Sequence, residues 1–142
     1  MPARNLAVLL IEDNPIHARL LRGLLNDIQD QQFDLEAVDT VAGGLESLDR
    51  KSVDVILLDL VLPDSQELET FIRVRARATG TPIIILTGLD DMALATRAVE
   101  AGAQDYLVKT QLNSTILARS IHYAMELCRA RREEWNSPMF RL

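Results

Sequence analysis

The chain has 142 residues, which suits one domain able to bury a core without disulfides or a structural metal. Hydrophobic residues make up 48% and charged residues 25%, which excludes disordered classes, and no apolar run is long enough to span a membrane. The net charge is −6, and residues 1–125 carry 18 acidic against 11 basic side chains, so we expect no direct nucleic-acid binding. A lone cysteine and the absence of an export signal predict a cytoplasmic location.

Strand and helix patterns alternate along the chain. In chain order, the predicted elements are a strand at 6–11, a helix opened by Pro15 and capped by Asn14, a strand at 33–38, a helix from Thr40 to Leu48, a strand at 53–60, a helix ending at Ala78, a strand at 83–87, a helix from Asp90 or Asp91 to Gly102, a strand at 106–108 and a helix from about Leu112 to Trp135. This alternation predicts an α/β fold, a flavodoxin-like doubly wound five-stranded parallel sheet with strand order 2-1-3-4-5 and five helices.

Polar side chains gather at the carboxyl ends of these strands, where sites of such sheets lie. Glu12 and Asp13 follow the first strand, and Asp59 lies near the end of the third. Thr87 ends the fourth strand, and Lys109 follows the fifth. Crowded carboxylates favour Mg²⁺, and a lysine beside them supplies charge for an anion such as phosphate. The set predicts phosphoryl transfer with Asp59 as nucleophile.

The order of these motifs resembles the receiver domain of two-component response regulators over residues 5 to about 128. The motifs that carry the resemblance are Glu12-Asp13, Asp59 with Pro63 four residues on, Thr87-Gly88, and Tyr106 three residues before Lys109. The resemblance implies that a histidine kinase or phosphotransfer protein passes a phosphoryl group to Asp59 with Mg²⁺ required. It implies a signalling protein, not an enzyme, that assists its own phosphotransfer and dephosphorylation.

The resemblance also implies the ligands of the metal. Asp13 and Asp59 would bind Mg²⁺ directly, Glu12 would act through water, and Val61 would offer its backbone carbonyl. Lys109 would pair with Asp59 at rest and with the phosphoryl group after transfer.

The switch implied by the resemblance is electrostatic in origin. Thr87 would turn its hydroxyl toward the phosphoryl group and Tyr106 would follow it inward. The face made by the fourth helix, fifth strand and fifth helix would then report the change to a downstream protein or to a second copy, as a homodimer.

Val61 and Leu89 would flank the path of the hydrolytic water, and because both are apolar we predict slow self-dephosphorylation.

Two positions depart from the family pattern. Glu67 stands where glycine is usual, so a positive φ there would be strained. Thr110 stands where a proline with a cis bond is usual. These departures leave open an alternative, a pseudo-receiver that acts only as a protein-docking module. His17 and His122 have no partner motif, and we expect surface or packing roles for both.

The predicted division is a receiver domain at 1–128 and a C-terminal helix extension and tail at 129–142. The fifth helix is longer than a small sheet requires, and we predict that its projecting end docks on a partner or a second copy. It carries an apolar seam, with Trp135 one further step along it; the members of the seam are Leu117, Ile121, Ala124 and Cys128. We expect a stand-alone receiver, and a receiver cut from a longer regulator is the second interpretation.

Overall fold

The computed structural model describes residues 4–135, with side chains described to residue 131. In this part of the chain, five parallel strands form one sheet in the order β2-β1-β3-β4-β5. The strands are β1 (Leu6–Ile11), β2 (Phe33–Val38), β3 (Val55–Asp59), β4 (Ile83–Thr87) and β5 (Asp105–Val108). The predicted fold class and strand order are therefore confirmed.

Helices cover both faces of the sheet because successive residues of its central strands point to opposite sides. The helices are α1 (Pro15–Asn26), α2 (Val41–Arg50), α3 (Leu68–Arg77), α4 (Met92–Glu100) and α5 (Ser114–Trp135). In β1, Leu9 and Ile11 belong to the core under α2, α3 and α4, whereas Val8 and Leu10 belong to the core under α1 and α5. Because all five strands are parallel, the connections that follow them emerge at the same, carboxyl edge of the sheet.

Side chains at the starts of α1 and α2 fix where these helices begin. The Asn14 side chain accepts the N–H of Ile16, and the Thr40 hydroxyl accepts the N–H of Gly43 at 2.9 Å, as an N-cap residue does. Helix α2 has a second, distant cap, because the carboxylate of Asp64 accepts the N–H groups of Val41 and Ala42 at 2.9 and 3.0 Å. The loop after β3 is thereby tied to α2.

The region after β3 is more ordered than the predicted loop. Two short strands, Val61–Leu62 and Ser65–Gln66, pair antiparallel and form a hairpin around Pro63 and Asp64. Strands of two residues are too short to give a periodic signal in the sequence. A 3₁₀ turn at Leu89–Asp91 precedes α4, which begins one residue later than Asp91.

The apolar seam of α5 faces the protein's own core. Leu117, Ile121 and Ala124 are at most 1% exposed and pack beneath the sheet, and Cys128 is also buried. The seam as far as Cys128 therefore belongs to the protein's own core, and docking of the projecting end of the helix stays a prediction. The side chain of Trp135 and residues 136–142 lie outside the described residues. Among the described helices, none combines the length and apolarity that a membrane span requires.

Candidate functional site

Three carboxylates converge where the neighbouring strands β1 and β3 end. One carboxylate oxygen from each of Glu12, Asp13 and Asp59 lies within 4.8 Å of the other two. Glu12 and Asp59 are buried, whereas Asp13 is exposed. Hard oxygen ligands with an open, solvated side suit Mg²⁺, which keeps several of its waters. The donor set on this edge therefore fits Mg²⁺.

Lys109 supplies the positive charge at this cluster. It follows β5 in a 3₁₀ turn, and its long side chain reaches past β4 to the carboxylates. The Lys109 Nζ donates to Asp59 Oδ2 at 2.6 Å and lies 3.0 and 3.1 Å from the two oxygens of Glu12. One ammonium thus bridges two buried carboxylates, and its position beside Asp59 suits it to hold an anion formed there.

Ionisation of the cluster is unequal. Burial and the neighbouring Asp59 raise the pKa of Glu12 to about 8, although Lys109 opposes this. Burial also favours the protonated form of Asp59, but its contacts with Glu12, Lys109 and the Val61 N–H outweigh this and hold its pKa below the usual range. Burial opposes the charge on Lys109 too, yet the two carboxylates raise its pKa. Asp59 is therefore the carboxylate of this buried pair that is held ionised.

Backbone contacts orient Asp59 as well. Its Oδ1 accepts the N–H of Val61 at 2.9 Å, while its Oδ2 accepts from Lys109. Both oxygens are thus held from different sides.

Of the four residues implied in the switch and in hydrolysis, Thr87 and Val61 line the cavity at the cluster. Thr87 is buried and lines the same cavity of about 360 Å³, where its hydroxyl donates to the Gly88 carbonyl at 3.1 Å. Tyr106 is half-buried against the core that underlies α2, α3 and α4. Val61 is 42% exposed and lines the cavity, whereas Leu89, 58% exposed, is not among its lining residues.

Two ionisable residues that line this cavity were not predicted as site residues. His17 was expected to have only a surface or packing role, yet its Nδ1 lies 3.0 Å from Glu12 Oε1 and 3.3 Å from Lys109 Nζ. Its partner Glu12 lies five residues earlier and outside α1, so no helical spacing in the sequence indicates this contact. Asp91 also lines the cavity, from the turn before α4.

The two unusual positions have defined backbone conformations. Glu67 has φ 61° and ψ −144° and is the one non-glycine residue with positive φ among residues 4–135. This region of backbone space strongly favours glycine, so Glu67 is strained. The Lys109–Thr110 peptide bond is trans.

Comparison with known proteins agrees with this geometry. The family model "Response regulator receiver domain" matches residues 8–120. The chain therefore belongs to the response regulator receiver domain family. Domains of this family are signalling modules that receive phosphoryl groups from histidine kinases and bind Mg²⁺ at an acidic site. The resemblance drawn from the sequence motifs is thus confirmed.

Similar curated proteins are regulators. The chain is 32% identical over 102 residues to the transcriptional regulatory protein BasR of Escherichia coli, covering 72% of this chain and 45% of that protein. It is 33% identical over 100 residues to the regulatory protein LuxO of Vibrio cholerae, covering 70% of this chain and 21% of LuxO. The chain thus spans about half or less of the length of these two relatives.

Solved structures share the fold. The receiver domain of a sensor histidine kinase from Pseudomonas aeruginosa PAO1, which has a magnesium ion coordinated in its active site cleft, aligns with a TM-score of 0.72 and 25% identity. The alignment covers 87% of this chain and 99% of that domain. Full-length FixJ from B. japonicum aligns with a TM-score of 0.79 and 24% identity, covering 92% of this chain and 63% of FixJ.

Proposed function

We propose that this receiver domain accepts a phosphoryl group onto Asp59 from the phosphohistidine of a histidine kinase or phosphotransfer protein. The observation that carries the proposal is the pairing of Asp59 with Lys109 at 2.6 Å inside a cluster of three carboxylates. An isolated buried ion pair would need no further carboxylates, whereas a phosphoacceptor site needs both a cation ligand set and a positive charge for the phosphoryl oxygens.

The proposed metal ligands are Asp13 and Asp59 directly, Glu12 through water and Val61 through its backbone carbonyl. Bound Mg²⁺ would neutralise the phosphoryl oxygens and the crowded carboxylates. Asp13, exposed at the mouth of the cavity, would complete the ligand set from the solvent side. Burial and the neighbouring Asp59 raise the pKa of Glu12 to about 8, and bound Mg²⁺ would favour its ionised form.

In the proposed reaction, an oxygen of Asp59 attacks phosphorus as the phosphorus–nitrogen bond of phosphohistidine breaks. The electron pair of that bond stays on the imidazole, which takes up a proton. Lys109 would move its hydrogen bond from the Asp59 carboxylate to a phosphoryl oxygen. The product is an aspartyl phosphate, a mixed anhydride whose phosphoryl group carries about 1.5 to 2 negative charges beside Lys109. Because the charge of the Asp59 carboxylate is lost in the reaction, the net gain is about one negative charge or less.

In the proposed switch, Thr87 and Tyr106 change conformation in response to the added charge. Thr87 would rotate its hydroxyl from the Gly88 carbonyl, 3.1 Å away, toward the phosphoryl group. Space vacated on the α4 side would admit Tyr106, which is already half-buried there. The face of α4, β5 and α5 would then differ between the two states and bind a downstream protein.

The same face is the proposed homodimer surface. Tyr123 and Ile116 on α5 are 56% and 39% exposed, which gives this helix apolar side chains outside its buried seam. Sedimentation of the full chain, with and without phosphorylation, tests this, and a monomer in both states at high concentration would exclude the homodimer. The division into a receiver at 1–128 and an extension at 129–142, and the cytoplasmic location, remain predictions.

Phosphoryl uptake tests the proposed function. Wild-type protein should incorporate radiolabel from phosphoramidate only when Mg²⁺ is present, and Asp59→Asn should incorporate none. Asp90→Asn is the matched control, because Asp90 is an exposed carboxylate outside the cluster. A protein that binds partners but takes up no label from any donor would instead be the docking-only pseudo-receiver.

A further inference from the structure

A buried pair of hydroxyl groups lies behind the backbone that follows Asp59. Thr70, in the first turns of α3, is 0% exposed, and Ser65, in the hairpin, is 8% exposed. The Thr70 Oγ1 lies 3.0 Å from the carbonyl oxygen of Leu60 and 3.0 Å from Ser65 Oγ. Buried hydroxyl groups need hydrogen-bond partners. Here the backbone partner is the carbonyl of the Leu60–Val61 peptide, which begins one residue after Asp59.

The direction of these hydrogen bonds follows from the number of protons. A carbonyl can only accept, so the single hydroxyl proton of Thr70 goes to Leu60. The Ser65 hydroxyl then supplies the proton between the two side chains. The result is a chain from Ser65 through Thr70 to the Leu60 carbonyl, and each hydrogen bond in such a chain strengthens the next.

The Leu60 carbonyl and the Val61 N–H belong to one planar trans peptide and point in opposite directions. The carbonyl is held by Thr70 and also by the Glu67 N–H at 2.9 Å. The Val61 N–H on the other side of the plane donates to Asp59 Oδ1 at 2.9 Å. Anchoring the carbonyl therefore aims the N–H at the phosphoacceptor.

We propose that Thr70, supported by Ser65, is a positioning residue that orients the Asp59 carboxylate through the Leu60–Val61 peptide. It touches neither the metal ligand oxygens nor the incoming phosphoryl group, and acts through the backbone. This inference rests on the proposed phosphoacceptor function. It assigns Thr70 to the control of how fast Asp59 reacts, in addition to its part in core packing.

Substitution of Thr70 by an isosteric residue tests this role. In the full chain, Thr70→Val should slow labelling from phosphoramidate at saturating Mg²⁺ about threefold to tenfold, the effect of weakening one hydrogen bond. The rate of amide hydrogen exchange at Val61, measured by NMR, should rise by about the same factor. Thr70→Ser keeps the hydroxyl and should restore both values while still losing a buried methyl group.

The control is Ser47→Ala, which removes a buried hydroxyl from α2 and should change neither readout. A folded Thr70→Val protein with wild-type labelling and wild-type Val61 exchange would overturn the proposal. If Thr70→Val does not fold, Ser65→Ala decides in the same way, with a smaller expected loss. If the wild-type chain takes up no phosphoryl group, the proposed function fails, and the Val61 exchange rates still decide whether Thr70 positions that peptide.

Discussion

Lys109 donates to Asp59 across 2.6 Å, although 50 residues separate them in the chain. The same ammonium contacts Glu12, so one cation holds together residues from the ends of β1 and β3. Removing this charge should leave two buried carboxylates facing each other without compensation.

We therefore predict that Lys109→Met lowers the rate of phosphoryl uptake about 10²-fold or more, the usual effect of removing a group that stabilises developing charge. Labelling from phosphoramidate at saturating Mg²⁺ measures it. Lys51→Met, which removes a partly exposed lysine paired with Glu36, is the control and should leave the rate unchanged. Equal rates in the two variants would show that Lys109 has no part in transfer.

A second prediction concerns Asp64 and pH. Partial burial opposes its charge, but the N–H groups of Ala42 and Val41 hold the pKa of Asp64 below its ordinary 3.8. A carboxyl with a lowered folded-state pKa stabilises the fold above the unfolded-state value, and this stabilisation is lost as the pH falls through the folded-state value.

Asp64→Ala should therefore lower the free energy of unfolding by about 1 kcal/mol at pH 7, as loss of an N-cap does. The difference from wild type should shrink below pH 3.8. Urea titrations at both pH values measure it, and a difference that does not depend on pH would exclude the charged cap.

A third prediction concerns the strained Glu67. Glycine adopts φ near 61° without penalty, so Glu67→Gly should relieve strain of about 1–3 kcal/mol while adding about 0.5–1 kcal/mol of unfolded-state entropy. We expect a net stabilisation of about 1 kcal/mol in urea unfolding. Glu69→Gly, two residues on within α3, is the control and should destabilise by about 1 kcal/mol. Destabilisation of both variants alike would contradict the strain at Glu67.

A fourth prediction concerns the lifetime of the phosphorylated state. Val61 lines the cavity and Leu89 is exposed beside α4, and neither side chain can orient water. We expect slow self-dephosphorylation that quickens several-fold in Val61→Asn or Leu89→Glu. The loss of label is followed in parallel with wild type. If neither polar substitution quickens it, these side chains do not set the lifetime.

The sequence predicts the features that depend on local patterns of residues, and it does not predict those that depend on contacts between different elements. Continuous apolar runs gave β1 and β4 their bounds because both faces of these strands are buried, and the strand ends then brought Glu12, Asp59 and Lys109 to one edge. The hairpin was not predicted because each of its strands has only two residues, which gives no periodic pattern. One of these residues, Ser65, is also held by Thr70, which belongs to another element.

The apolar seam of α5 was predicted from the sequence, but the surface that covers it was not. An apolar seam indicates burial but not which surface buries it, and here the protein's own sheet covers Leu117 and Ile121. His17 carried no recognisable motif, since its contact with Glu12 depends on where α1 leaves the sheet.

The central claim, that Asp59 receives the phosphoryl group of a phosphohistidine, is tested most directly by locating the modified residue after transfer. The full chain is incubated with phosphorylated histidine kinases and Mg²⁺, and the aspartyl phosphate is reduced with borohydride, which converts an acyl phosphate at aspartate to homoserine. Mass spectrometry of the digested protein should then find homoserine at position 59 and unmodified aspartate at Asp13 and Asp64. Homoserine at another position, with Asp59 unmodified in phosphorylated protein, would contradict the account.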